Sequence, residues 1–210
     1  MKTRKICGPL ILLLCASHVL AQAPKGAGEC RIRPGTLCAD LNLNGMNMRD
    51  ASLANSQFTR SSMVAVNLHG ADLSEANLQE ARLTGADLGE AVLDDADMAG
   101  STLAGANLAD AEMNGANLRN ALMHRVRAQD AGLRGTDLFG ANLSQADFTD
   151  ARMQRASFRG ANLTGTVLRG ANLRGADFTN ANLTDADLRG ANLELATFSG
   201  ANTSTCIGCR

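Results

Sequence analysis

The chain repeats a five-residue pattern without interruption from Leu43 to Phe198. At every fifth residue of this range the chain has Leu, Met or Phe in 31 of 32 cases, and the exception is Ala128. Two residues earlier, 24 of the 31 positions from Ala51 to Ala201 are Ala, and the other seven are Ser, Thr or Val. We call the large apolar position i and its small neighbour i−2. An internal repeat on this scale decides the fold class before any other feature.

A period of five excludes the two common ways of burying an apolar face. In a helix, five residues turn about 500°, so the apolar side would rotate by about 140° with each repeat. In a straight strand, i−2 and i share a face, but the next pair would point the other way because five is odd. The chain must therefore turn a corner in every repeat, and Gly at i+2 in 14 of the 32 repeats suits turns with positive φ.

A short motif, Ala followed by Asp or Asn and then Leu, recurs in these repeats. Its copies at Ala71-Asp72-Leu73, Ala106-Asn107-Leu108 and Ala181-Asn182-Leu183 resemble the pentapeptide-repeat family, and the resemblance covers residues 41–203. It implies an all-β fold, a right-handed quadrilateral β-helix with about 20 residues per coil and about eight coils. At roughly 4.8 Å per coil, the rod would be about 40 Å long.

A coil of this length places residues 20 apart in one column. Phe158, Phe178 and Phe198 then share an inner column, which predicts an aromatic ladder near the C-terminal end.

Residues 1–21 have the layout of a cleaved secretory signal. A basic start at residues 2–5 precedes a short apolar segment around residues 10–14, and small residues precede a cut after Ala21. A lipoprotein cysteine at Cys15 is the alternative, but the leucines before it do not fit such a site. No other segment could span a bilayer. We therefore predict a periplasmic or secreted protein, with the thylakoid lumen left open because the family resembled also has lumenal members.

Four cysteines remain after residues 1–21 are removed. Because the Cα atoms of a disulfide lie within about 7 Å of each other, no disulfide can join the two ends of such a rod. We expect Cys30–Cys38 in an N-terminal cap, residues 22–40, and Cys206–Cys209 in a C-terminal cap, residues 204–210. Each would protect an open end of the solenoid. A redox pair or half a zinc site is the alternative for the Cys-x-x-Cys sequence.

The groups that catalysis needs are scarce. Beyond residue 21 the only histidines are His69 and His124, and no Ser or Cys has a recognisable base beside it. We predict that the protein is not an enzyme.

One outward column is acidic. Its members occupy i+2 at intervals of 20 residues: Glu90, Asp110, Asp130 and Asp150. Stacked carboxylates attract cations, and calcium prefers several oxygen ligands, so a calcium site is one hypothesis. A solvated acidic stripe is the alternative, because a straight row offers one carboxylate per coil. No other cofactor is indicated.

The least regular coil contains the sequence ALMHRVRAQD, residues 121–130. Ala128 replaces a core Leu there, which predicts a void or a dent in the wall. Breaks in a repeat are where function is expected, and decay of one repeat is the alternative. The candidate partner-binding residues are Leu122, His124, Arg125, Arg127 and Phe139.

Three functions follow as hypotheses. The first is an exported, monomeric scaffold that binds an unidentified protein or cell-envelope component. Nucleic acid is not an expected partner, because residues 22–210 have a net charge of −4 and no Trp or Tyr. The second is a cation-binding rod that uses the acidic column.

The third comes from the resemblance, which implies DNA-mimicking protection of DNA gyrase. B-DNA carries roughly 24 negative charges over about 40 Å, whereas residues 41–203 have a net charge of −6. The negative charge is also uneven, with −7 in residues 41–120 and +1 in residues 121–203. The export signal, and a C-terminus with no room for the dimerising helix of such proteins, also argue against this function.

Overall fold

The computed structural model describes residues 30–209. The signal segment predicted for residues 1–21 and the first residues of the N-terminal cap lie outside the described residues. Within residues 30–209 there is no helix, and β-structure consists of single-residue bridges that recur every five residues. No helix in this part of the chain is therefore long and apolar enough to cross a membrane.

Parallel β-bridges join residues that are 20 positions apart. Every bridge residue is the i−1 residue of its repeat, from Leu37 to Ile207, and Ser62 for example pairs with Asn42 and with Arg82. The N–H of Ser62 donates to the carbonyl of Leu41 at 2.8 Å, which ties Ser62 to the preceding coil. Four bridge residues per 20-residue coil give the coil four faces, as the resemblance to the pentapeptide-repeat family implied.

We name the faces by their bridge residues in the coil of residues 121–140. Face 1 carries Leu122, face 2 Arg127, face 3 Gly132 and face 4 Asp137. Faces 1 and 3 are opposite each other, and the two residues i+1 and i+2 form the corner between successive faces.

Every corner has the same backbone geometry. All i+2 residues from Gly35 to Thr205 have positive φ, and this includes non-glycine residues such as Ala65 at 53° and Leu195 at 61°. The N–H of i+3 closes the corner by donating to the carbonyl of i, as Met46 does to Leu43 at 3.2 Å. Positive φ at the third residue of such a turn is the requirement of type II turns. Glycine accounts for 15 of these corners and other residues for 20, so the turn is imposed by the coil as a whole.

The side chains of i and i−2 fill the inside of the coil. Almost all of them between residues 43 and 188 are fully buried, including Ala128. The predicted dent at Ala128 is wrong, because the wall is closed over this residue. Phe148, the next residue in the same inner column, is also fully buried and supplies more volume than the usual Leu.

The predicted aromatic ladder is confirmed. The ring centroids of Phe158 and Phe178 lie 4.8 Å apart with an interplanar angle of 2°, and those of Phe178 and Phe198 lie 4.9 Å apart at 9°. Phe198 belongs to the last coil, whose inner residues are half-buried because no further coil covers them.

Disulfides lie at both ends of the coil. Cys30 is bonded to Cys38 with a Cα–Cα distance of 5.2 Å, and Cys206 is bonded to Cys209 with a Cα–Cα distance of 5.9 Å. Both distances fall within the usual range for disulfides. No cysteine among the described residues is left as a free thiol.

Candidate functional site

The five candidate partner-binding residues lie on one coil, and all five are exposed. Leu122 is on face 1, Phe139 is on the corner that leads into face 1, and His124 and Arg125 form the corner at the other side of face 1. The structure therefore arranges these four residues around face 1, whereas Arg127 points from face 2. We call the five residues together the 122–139 surface.

Two large apolar side chains of this surface face solvent in the middle of the rod. Leu122 is 46% exposed and Phe139 is 39% exposed. The other exposed large apolar residues of the described chain are Leu37, Leu195 and Ile207, which lie near its two ends. Exposure of apolar residues at an open end follows from the missing next coil, but that explanation does not apply to Leu122 and Phe139.

Arg119 holds the Phe139 ring in place. Its guanidinium carbon lies 4.4 Å from the ring centroid, and the same guanidinium donates to Asp137 Oδ2 at 2.8 Å. Asp137 Oδ1 in turn accepts the main-chain N–H of Phe139 at 3.0 Å. Sequence reasoning missed Arg119, although its separation of 20 residues from Phe139 places it directly on the preceding coil.

The positive charge of this surface is not neutralised within the described chain. Arg125 donates to the neutral Gln145 side chain at 2.9 Å, and neither Arg125 nor Arg127 forms an ion pair within residues 30–209. By contrast, six arginines between residues 119 and 189 are paired with carboxylates: Arg119, Arg152, Arg159, Arg169, Arg174 and Arg189.

The acidic column lies on the corner between faces 2 and 3. Glu90, Asp110, Asp130 and Asp150 all have φ between 56° and 59° and follow one another on successive coils. Within residues 30–209 no three His, Cys, Asp or Glu side chains are grouped so that they could hold a metal ion. Calcium binding by this column stays a prediction.

A family model for pentapeptide repeats matches the chain in eight copies. The matched segments are residues 35–74, 71–108, 86–125, 101–138, 129–165 and 161–200. The chain belongs to the pentapeptide-repeat family. Proteins of this family fold as right-handed β-helices and are generally structural or interaction proteins rather than enzymes.

Solved pentapeptide-repeat structures are similar to this chain. HetL, a protein involved in heterocyst differentiation regulation from the cyanobacterium Nostoc sp. strain PCC 7120, is 32% identical, with 86% of this chain and 90% of HetL covered and a TM-score of 0.37. Full-length QnrB1, a plasmid-mediated fluoroquinolone resistance protein, is 20% identical over 75% and 91% of the two chains, with a TM-score of 0.37. A protein from the Arabidopsis thaliana thylakoid lumen is 24% identical over 64% and 78%, with a TM-score of 0.30. No significant match to a curated protein was found.

The histidines of this pentapeptide-repeat protein lie far apart. His69 and His124 are on different corners, and His69 lies near two carboxylates, with Nδ1 3.8 Å from Asp87 and Nε2 3.9 Å from Glu90. The His69 side chain is only 23% exposed. Burial acts to raise the pKa of Asp87, but hydrogen bonds from Asn107 and from the Gly89 N–H, with the charge of His69, lower it overall.

A second residue that sequence reasoning missed is Asp187, a buried carboxylate on face 2. Its two oxygens accept hydrogen bonds from Arg189 at 2.9 and 2.7 Å and another from Arg169. The Arg189 hydrogen bonds lower the pKa of Asp187 well below its usual range, and they outweigh the opposite effect of burial. This network joins neighbouring coils and is structural, since it contains no group that could act on a substrate.

Proposed function

We propose that this pentapeptide-repeat protein is an exported, non-enzymatic scaffold that binds a protein partner through the 122–139 surface. The observation that carries the proposal is the pair of exposed apolar residues, Leu122 and Phe139, on one coil in the middle of the rod. Most other coils have polar residues at the corresponding positions, for example Asn142 and Thr179.

The composition of the surface is that of an interface centre. Aromatic and Arg side chains contribute a large share of the binding energy in protein–protein interfaces. Phe139 is already ordered by Arg119, so little conformational entropy is lost when a partner covers the ring.

The charges of the surface define the complementary partner. Arg125 and Arg127 have no carboxylate partner within residues 30–209, and His124 lies beside them. A partner with an apolar pocket for Leu122 and Phe139, and with acidic residues at its rim, satisfies both features of this surface.

Export is supported by the disulfides. Structural disulfides persist in oxidising compartments such as the periplasm and are rare in the cytosol. The measurement is the intact mass of the protein from its native cell fraction. We expect a chain that begins at Gln22 and gains about four mass units on reduction, two for each disulfide. A full-length, reduced chain in the cytosol would contradict export.

Partner binding is tested with a photo-cross-linking residue at position 122, in the native cell fraction. The matched control carries the same residue at position 172, on the opposite face 3. We expect a discrete adduct from position 122 that is absent from position 172. We also expect the adduct to disappear in the Phe139→Thr variant. Thr is chosen because it already occupies positions 59 and 179 of the same column. Equal adducts from both positions would contradict the proposal.

A further inference from the structure

A notch lined by hydrogen-bond donors lies on the corner between faces 3 and 4. It is a cavity of about 140 Å³ that opens to solvent and is lined by Arg134, Gln154, Arg155 and Arg174. This corner is opposite the one that His124 and Arg125 occupy, so the notch is separate from the 122–139 surface.

Two of the three guanidinium groups at the notch have no counter-charge. Arg174 is neutralised by Glu194, to which it donates hydrogen bonds of 3.1 and 3.2 Å. Within residues 30–209, Arg134 and Arg155 form no ion pair. The neighbouring Arg152 does not change this balance, because it pairs with Glu112 at 2.7 Å.

One residue of the notch also has a main-chain N–H without an acceptor. In the next coil, the N–H of Arg174 donates to the side-chain oxygen of Asn172 at 3.3 Å. Arg152 occupies the equivalent position before Gln154, and a guanidinium cannot accept a hydrogen bond. The main-chain N–H of Gln154 therefore has no acceptor among the described residues.

Small neighbours keep Arg155 accessible. Gly135 and Gly175 occupy the positions directly before and after Arg155 in its column. A Cβ at Gly135 would have no atom within 4 Å, which shows that the space beside Arg155 on that side is open. The Arg155 side chain is exposed, and its Cγ lies over Gly175, 3.6 Å from the place that a Cβ would occupy there.

We propose that this notch binds a phosphate group. A phosphate offers several charged acceptor oxygens, and guanidinium groups bind it through paired, charge-assisted hydrogen bonds. The neutral donors of Gln154 add to this recognition without adding charge. A volume of about 140 Å³ is well below that of sites for drug-sized molecules, so the notch fits the phosphate of a free ion or of an ester whose remainder stays outside.

The probe is inorganic phosphate, and the signals observed are the arginine Nε–H resonances of the mature protein at low ionic strength. We expect saturable changes at Arg134 and Arg155, with affinity reduced at least about tenfold in the Arg134→Gln/Arg155→Gln variant. The matched control is Arg125→Gln/Arg127→Gln, which removes two unpaired arginines on the other side of the rod. We expect this control variant to keep the affinity of the unmodified protein for phosphate. Thermal unfolding checks that both variants fold.

Two competitors distinguish the sources of the phosphate. Phosphatidylcholine vesicles with phosphatidic acid displace inorganic phosphate if the ligand is a lipid headgroup, and glucose 6-phosphate displaces it if the ligand is a soluble ester. Vesicles of phosphatidylcholine alone should displace nothing. The proposal is overturned if no arginine signal responds to phosphate, or if both double variants lose affinity equally, since the effect would then be net charge alone. Neither result bears on the 122–139 surface.

Discussion

Ala128 and Phe148 occupy successive positions of one inner column, and both are fully buried. Their coils are in register because Arg127 and Asp147, the residues before them, form a bridge. Along this column, the small Ala128 therefore lies between Leu108 and the larger Phe148. Val126, which replaces the usual Ala at i−2, adds further volume beside Ala128. We expect Phe148 and Val126 to fill the space that the small Ala128 leaves.

This relationship predicts strong coupling between the two positions. Ala128→Leu restores the repeat pattern but overfills the column next to Phe148, and we expect a loss of about 1–3 kcal/mol in the free energy of unfolding. Phe148→Leu alone leaves a cavity and also destabilises. The double variant should recover most of both losses, as measured by urea denaturation. Additive losses in the double variant would show that the two residues do not share space.

The buried Ser101 hydroxyl is predicted to destabilise the fold. Within residues 30–209, the Ser101 Oγ is the one buried side-chain polar atom without a hydrogen-bond partner. Ala occupies most i−2 positions, so Ser101→Ala fits the column and removes the cost of an unpaired hydroxyl. We expect the free energy of unfolding to rise by about 1 kcal/mol.

The control for Ser101 is Thr136→Val. Thr136 is also a buried i−2 hydroxyl, but its Oγ1 donates to the carbonyl of Met113 at 2.8 Å. Its replacement should therefore lower the free energy of unfolding. The same sign of change in both variants would contradict this explanation.

The five-residue period predicted that the chain turns a corner in every repeat. The resemblance to the pentapeptide-repeat family implied the four faces and the 20-residue coil, from which the phenylalanine ladder and the cysteine pairs follow. Neither of them predicted how surface side chains pair. Arg152, for example, pairs with Glu112 two coils away, because Gly132 lies between them and has no side chain. The positions of Arg119 and Phe139 on neighbouring coils could be predicted, but the contact between their side chains could not. A long side chain on a corner reaches several neighbours, and the sequence does not tell which of them it selects.

The end disulfides are predicted to prevent fraying of the terminal coils. Cys30–Cys38 closes a loop of sequence separation 8, and its removal should cost about 2–3 kcal/mol. Cys206–Cys209, with a separation of 3, should contribute less. Hydrogen exchange of the paired Ser variants checks this: protection should fall at the end that loses its disulfide and persist at Leu103 and Leu108. Uniform loss along the rod would instead mean that the coils unfold as one unit.

The calcium hypothesis for the acidic column makes its own prediction. Calcium that binds the folded protein at ten times its Kd would add about 1.4 kcal/mol to the free energy of unfolding. The Asp110→Asn/Asp130→Asn variant should lose this stabilisation, and Asp95→Asn/Asp185→Asn, which changes two other corners, should keep it. If calcium leaves the melting temperature of the unmodified protein unchanged, and chelation also has no effect, the hypothesis is wrong.

The lowered pKa of Asp187 predicts a specific loss of stability in acid. The hydrogen bonds from Arg189 and Arg169 favour the charged carboxylate in the folded state, whereas the unfolded carboxyl has a pKa of about 3.9. The stabilisation is therefore complete above about pH 4 and is lost as the pH falls through the folded-state pKa. Asp187→Asn should lower the free energy of unfolding at pH 7, and its difference from the unmodified protein should shrink steadily below about pH 4. In Arg169→Gln/Arg189→Gln the buried carboxylate lacks its cations, so its pKa in the folded state rises and the loss of stability in acid should be smaller than in the unmodified protein, or reversed in sign. Urea denaturation across this pH range measures all three proteins, and parallel curves would show that Asp187 gains nothing from its two arginines.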